Sequence, residues 1–191
     1  MSRVFVDIGA HLGETLSVAR QSKYAFDRIY CFEPATVCHP EIARFADDRV
    51  EILGYGLWSS DGRLPLNDPG AIGGSLFDRV GAGSAVVEVE LRDAAAWFEE
   101  HLRSEDVNVV KINCEGAEVA ILDRLLDTGQ LDKVDELLVH FDCRKIPELR
   151  DREPALRARL DDAHIPYRPA ESIFFGRTTE EKTANWLDWY S

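Results

Sequence analysis

The sequence predicts an α/β domain built on a mostly parallel sheet. Three observations carry that prediction. Short apolar runs at about 4–8, 29–32, 50–53, 107–114 and 137–139 are separated by stretches of helical period, which is the rhythm of βαβ units. The first run closes on Gly9-Ala10-His11-Leu12-Gly13, a glycine-bearing turn that opens a helix. The chain has 191 residues, 45% of them apolar and 30% charged. A chain of that length holds one core and buries roughly 70% of its unfolded surface. Residues 1–191 are therefore read as a single domain with no internal linker.

Each element has a local reason. Val4-Phe5-Val6-Asp7-Ile8 is the first strand, and a helix at about 14–22 carries Leu16, Val18 and Ala19. Ile29-Tyr30-Cys31-Phe32 follows and ends on Glu33-Pro34, because proline cannot continue a ladder. A short helix at about 39–46 leads to the third strand, 50–53. Residues 54–84 hold eight of the thirteen glycines and read as a long functional loop with room for a small hairpin. Val86–Leu91 alternates as a strand, and Asp93 is placed to cap a helix running to about Leu102. The strand at 107–114 turns at Glu115-Gly116 into a helix at 117–128, with Gly129 as its left-handed terminator. A charged helix at about 148–163, two short strands at 165–169 and 172–176, and a helical tail at 179–191 complete the reading. Trp97 and Phe98 are expected in the core, and Trp186, Trp189 and Tyr190 are expected to pack back on it.

Charge and cysteines narrow the function classes. The net charge is −13, spread over both halves of the chain, and no basic stripe appears. Lys and Arg that neutralise phosphates dominate nucleic-acid affinity, so no nucleic-acid partner is expected. Cys31, Cys38, Cys114 and Cys143 form no CxxC pair. They read as small core residues, and a zinc site from Cys31, Cys38 and His39 matches no common spacing. Neither a basic-then-apolar leader nor a run of ~18 apolar residues is seen, so no membrane partner and a cytoplasmic location are expected.

The chemistry concentrates at strand ends. Glycines between the first strand and first helix let a ligand approach the backbone, and Asp7, Gly9, Ala10, His11 and Gly13 are candidate contacts. Glu33 ends the second strand 20 residues after Gly13. A carboxylate there can accept both hydroxyls of a ribose. A nicotinamide dinucleotide fingerprint requires a glycine where this chain has His11. The pattern instead suits S-adenosylmethionine, a nucleoside with no phosphate. The alternative is a strand–helix turn whose glycines serve packing alone.

Val6-Asp7-Ile8-Gly9-Ala10-His11-Leu12-Gly13, Phe32-Glu33-Pro34 and Val110-Lys111-Ile112-Asn113-Cys114-Glu115-Gly116-Ala117-Glu118 together resemble the motifs of the FkbM-type methyltransferases, in order, over about residues 3–142. The resemblance implies a Rossmann-like class I methyltransferase fold with helices on both faces of a seven-stranded sheet. Its last strand would enter antiparallel through the 165–176 hairpin. It also implies methyl transfer from S-adenosylmethionine to a hydroxyl oxygen of a sugar or natural product. The partner would be a small-molecule or glycan acceptor, walled by loops 59–84 and 143–150. Pro34, Gly56, Leu57 and Asn113 complete the expected cofactor-binding set.

His11 stands where the family usually has Asn, Asn113 where it has Asp, and His140-Phe141-Asp142 where it often has Glu-x-His. Such transfer needs an acceptor oxygen held in line and a group to take its proton. His140, Asp142 and Glu115 are the catalytic candidates. His140 is favoured as base because imidazole titrates near neutrality; otherwise it is a strand-end histidine bonded to the backbone. Asp142 would share its strand face, and Lys111, Asn113 and Glu115 would share another. Lys111 is expected to pair with a buried carboxylate, Asp7 or Glu118. A divalent metal between Asn113, Glu115 and Asp142 is disfavoured, since Asn113 removes a ligand charge. A non-catalytic cofactor-binding module and a nicotinamide-dependent oxidoreductase are the rival readings.

Overall fold

The computed structural model describes residues 1–77, 85–173 and 175–190. In chain order its elements begin β1 (Arg3–Ile8), α1 (Glu14–Ala19), β2 (Arg28–Phe32), α2 (His39–Ala43) and β3 (Val50–Leu53). Then come β4 (Gly56–Trp58), β5 (Gly62–Asn67), β6 (Val86–Asp93), α3 (Ala94–His101), β7 (Val107–Ile112) and α4 (Glu118–Asp127). The chain closes with β8 (Glu136–Val139), α5 (Arg152–Asp162), β9 (Tyr167–Pro169), α6 (Ala170–Ile173) and α7 (Thr179–Tyr190).

A six-stranded sheet runs in the order β3-β2-β1-β7-β8-β9 with every neighbouring pair parallel. Alternation sends successive side chains to opposite faces. Val4, Val6 and Ile8 of β1 join Val110 and Ile112 of β7 and Leu137 and Val139 of β8 in one core, against Trp97 and Phe98 of α3, Ile121 and Leu122 of α4, and Leu156 and Leu160 of α5. Phe5, Ile29, Val109 and Leu138 join the other, against Leu16 of α1, Ile42 of α2, and Trp186 and Leu187 of α7. Helices thus cover both faces, which is the Rossmann-like arrangement.

Two expectations are corrected. Among the described residues the sheet has six strands, not seven, and its last strand is parallel. Pro169 closes β9, and the chain enters α6 at once, where the second hairpin strand is expected. Residue 174 of that expected strand lies outside the described residues, and Phe175 is exposed. The glycine-rich stretch is also more ordered than a loop. β4 and β5 both pair with β6, β4 parallel and β5 antiparallel, in a separate three-stranded sheet. Its segment 78–84 lies outside the described residues.

Local signals hold elsewhere. Asp93 accepts the amides of Ala95 (2.8 Å) and Ala96 (3.2 Å) at the start of α3. Gly129 takes φ 69° just beyond α4. Trp97, Phe98 and Trp186 are buried, but Trp189 is 59% exposed and lies under the Arg168 guanidinium. Cys31, Cys38 and Cys143 are buried and Cys114 is half-buried, all with free thiols. Among the described residues no helix is long and apolar enough to cross a membrane.

Candidate functional site

The strand order reverses between β1 and β7, since β2 and β3 lie on one side of β1 and β8 and β9 lie beyond β7. The crevice at the carboxyl ends of strands beside such a switch point is where open α/β sheets bind ligands. A cavity of about 240 Å³ opens there. Ile8, Gly9 and Ala10 form one side, Phe32 to Ala35 a second, and Asn113 to Glu115 a third. The small sheet supplies Gly56, Leu57, Leu66 and Leu91 as an apolar wall, and residues 70–76 cover the opening.

The floor is set by parallel register, which places Asp7 beside Lys111. Lys111 Nζ donates to Asp7 Oδ1 at 2.7 Å and to the Gly9 carbonyl at 3.3 Å. Both side chains are buried. Burial pushes the Asp7 carboxyl up, and the ammonium beside it opposes that shift. Of the two expected partners for Lys111, Asp7 is the one it meets. Asp7 itself lies below the cavity wall rather than on it.

Gly9 has φ +87°, and a Cβ there would stand 2.0 Å from the Asn113 carbonyl oxygen. The glycine is therefore required by the approach of β7 as well as by any ligand. Gly13 also has positive φ, and a Cβ there would press on Phe45 and Ile42. Gly13 does not line the cavity, and its role is packing between the first turn and α2.

His11 ties this site together. Its φ is 50°, a left-handed conformation that asparagine adopts more readily. Its amide donates to Glu33 Oε2 at 2.8 Å, and Ala35 N donates to Glu33 Oε1 at 2.9 Å. The imidazole spans Glu14 Oε1 (3.1 Å) and the Gly70 carbonyl (3.3 Å), joining the turn after β1 to the covering segment. Burial raises the Glu33 carboxyl, against the two amides that favour its ionised form. Among the described residues, two of its roughly four acceptor positions are used.

On the opposite side, Glu115 (φ 49°) and Gly116 (φ 108°) turn the chain sharply away from β7. The expected common face of Lys111, Asn113 and Glu115 therefore ends at Ile112, where the strand stops. Ser75 Oγ donates to the Glu115 carbonyl at 2.7 Å and anchors the covering segment. Lys145 Nζ stands between Asp142 Oδ1 (2.7 Å) and Glu115 Oε2 (3.4 Å). An ammonium thus stands between two of the three groups considered for a divalent metal. Among the described residues no group of three or more His, Cys, Asp or Glu is arranged to hold a metal ion.

The structure brings most candidates together and sets others apart. Gly9, Ala10, His11, Glu33, Pro34, Gly56, Leu57, Asn113 and Glu115 all line the cavity. His140 and Asp142 do not. β8 ends at Val139, so the two residues do not share a strand face. Burial holds the His140 imidazole down at about 4, with Lys111 adding to the effect. The sequence reading misses Glu14, Cys114, Ile121 and Thr179 on the wall. The glycine-rich run of 54–84 signals the covering segment, but nothing local in the sequence signals Thr179. His39 and His101 are half-buried: His39 Nε2 meets the Glu33 carbonyl at 2.7 Å, and the His101 ring stacks on Trp97.

No protein-family model and no solved structure matches the chain. The chain is similar to a curated protein of Sordaria araneosa, Methyltransferase sdnD, with 30% identity over 151 residues. The match takes in 61% of this chain and 58% of the relative. A methyltransferase is thus what this chain is similar to, and the chain spans a little over half of that relative's length.

Proposed function

We propose that the chain transfers a methyl group from S-adenosylmethionine to a hydroxyl oxygen of a sugar or natural-product acceptor. The observation that carries this reading is the charge of the cavity wall at the switch point. Glu14, Glu33 and Glu115 line it, and Lys111, the one lysine on the wall among the described residues, is already engaged by Asp7. A pyrophosphate would meet carboxylates there, whereas a nucleoside bearing a sulfonium and no phosphate is compatible with them. Glu33 would accept the ribose hydroxyls, the Leu57 and Leu91 side would take the base, and the Gly9–Ala10 and Asn113 backbone would border the amino-acid end. The likeness to a methyltransferase points the same way.

When bound, S-adenosylmethionine supplies an activated methyl on a good leaving group. The protein's own task is to hold the acceptor oxygen and take its proton. Glu115 is the one of the three catalytic candidates on the cavity wall, and we assign it that proton. His140 is a weak base with its pKa held at about 4. A second reading, a cofactor-binding module without turnover, is favoured by the same displacement of His140 and Asp142 from the wall.

Calorimetry with S-adenosylmethionine, S-adenosylhomocysteine and NADH tests the reading. Binding of the first two without the third is the expected result. Transfer of labelled methyl to a panel of sugars and polyketides then separates enzyme from module. Binding of NADH alone would overturn the proposal.

A further inference from the structure

The turn after β7 and the loop after β8 carry Glu115, Asp142 and Lys145, yet ladder pairing between those strands stops at Ile112 and Val139. Beyond that point a buried carboxylate bridges the two segments by hydrogen bonds, where Ile146 also packs against Gly116. Glu118, in the first turn of α4, is fully buried. Its Oε2 accepts the Gly116 amide at 2.6 Å, and its Oε1 accepts the amides of Asp142 and Cys143 at 2.7 Å each.

We infer that Glu118 is a positioning residue whose ionised carboxylate staples the Glu115 turn to the Asp142–Lys145 loop, and that protonation loosens the staple. The reason is donor arithmetic. An ionised carboxylate only accepts, so it can satisfy all three amides. A protonated one places its own O–H against an amide N–H, and a buried donor loses its partner. The staple sets the relative positions of Glu115 and Asp142, whose carboxylates share Lys145.

The surroundings place the transition near neutrality. Burial lifts the Glu118 carboxyl to about 7, its own and the Gly116 amide oppose this, Asp142 adds to it, and the Cys143 amide opposes it again. The other groups facing it are the Cys114 thiol, with Lys111 and Glu115 beside it, and the Cys143 thiol, with Glu153 beside it. Both thiols are raised well out of the neutral range, so neither changes charge there. A raised carboxyl gives the fold stability that is complete below the ordinary carboxylate value and is lost as pH rises through about 7. Rising pH therefore tightens the staple while lowering global stability, and the two trends have opposite signs.

The test is amide NMR on the full chain from pH 5.5 to 8.5. The amides of Gly116, Asp142 and Cys143 are expected to shift together with one midpoint near 7. The Glu118 side-chain carboxyl carbon is expected to share that midpoint. In Glu118→Gln the common transition disappears. Amides that titrate separately, that do not titrate, or that titrate unchanged in Glu118→Gln overturn the inference. If that variant does not fold, the wild-type carboxyl carbon decides, and a midpoint in the ordinary carboxylate range is equally fatal. The consequence for turnover rests on the proposed methyl transfer. There, kcat should lose an acid limb near pH 7 in Glu118→Gln, with cofactor affinity within about 2-fold of wild type. Absence of cofactor binding in the wild type would refute the methyl-transfer reading and leave the amide titration standing.

Discussion

Lys111→Met tests the floor of the cavity. The substitution keeps most of the unbranched side chain, one heavy atom shorter, and removes its charge. Asp7 is 0% exposed; its Oδ1 accepts from Lys111 and its Oδ2 is a buried acceptor with no partner among the described residues. Removing the ammonium leaves a buried carboxylate with no partner on either oxygen. Breaking a buried pair in this way costs about 3–5 kcal/mol. For a chain of this size each kcal/mol moves the melting temperature by about 2–4 °C, so a fall of roughly 10 °C is expected. The loss should depend on pH in a defined direction. Burial already raises Asp7, and Lys111 holds that rise in check. Without Lys111 the carboxyl rises further, and the variant's stability is present at acid pH and lost as pH climbs through the raised value. Urea unfolding at pH 5 and pH 8 reads this directly, and the gap to wild type should be the wider at pH 8. Adding Asp7→Asn should recover most of the loss, because no charge is then buried. Less than about 1 kcal/mol lost at pH 8, an equal loss at both pH values, or a double variant no more stable than the single would refute the reasoning.

Gly9→Ala should destabilise the fold as well as weaken ligand binding, since the added carbon meets the Asn113 carbonyl at 2.0 Å; a loss of about 3 kcal/mol or more in urea unfolding is expected, from overpacking and positive-φ strain together. Glu33→Ala removes the acceptor of the His11 and Ala35 amides and should weaken S-adenosylhomocysteine binding by about 1.5–3 kcal/mol in calorimetry; unchanged affinity in a folded variant would remove Glu33 from the site. His140→Ala should leave turnover within about 10-fold of wild type, because the ring stands off the wall and is a weak base at about 4; a loss of ~10²–10⁴-fold would restore it as the base.

The sequence is legible wherever a feature is local or repeats with the period of its element. Short apolar runs spaced by helical stretches give five of the parallel strands, the Asp93 cap and the Gly129 terminator follow from single-residue chemistry, and a lysine inside an apolar run calls for a buried carboxylate, of which Asp7 is one of the two expected. The glycine turn and Glu33 are readable because a strand's carboxyl end is a fixed place in this kind of sheet. The reading fails where it extrapolates periodicity past the end of an element. A period of two carries His140 to Asp142, and Lys111 to Glu115, only while a strand continues, and β8 and β7 stop at Val139 and Ile112. An apolar run such as 173–175 has no period of its own and cannot distinguish a strand from a helix end.

The sequence by itself determined an α/β chain with parallel strands, a glycine turn after the first of them, and a carboxylate at the end of the second. The tertiary structure decided which candidates meet. It gathered Glu33, Asn113, Glu115 and the 70–76 segment around one cavity and set His140 and Asp142 outside it. It also gave Glu118 three amides, one from the turn just before it and two from the loop after β8. Those outcomes depend on where separate segments end and pack, and side chains far apart along the chain carry no periodic signal that relates them. A buried carboxylate finds its partners through the sheet register and the turns that follow it, which are fixed only once the whole core has closed.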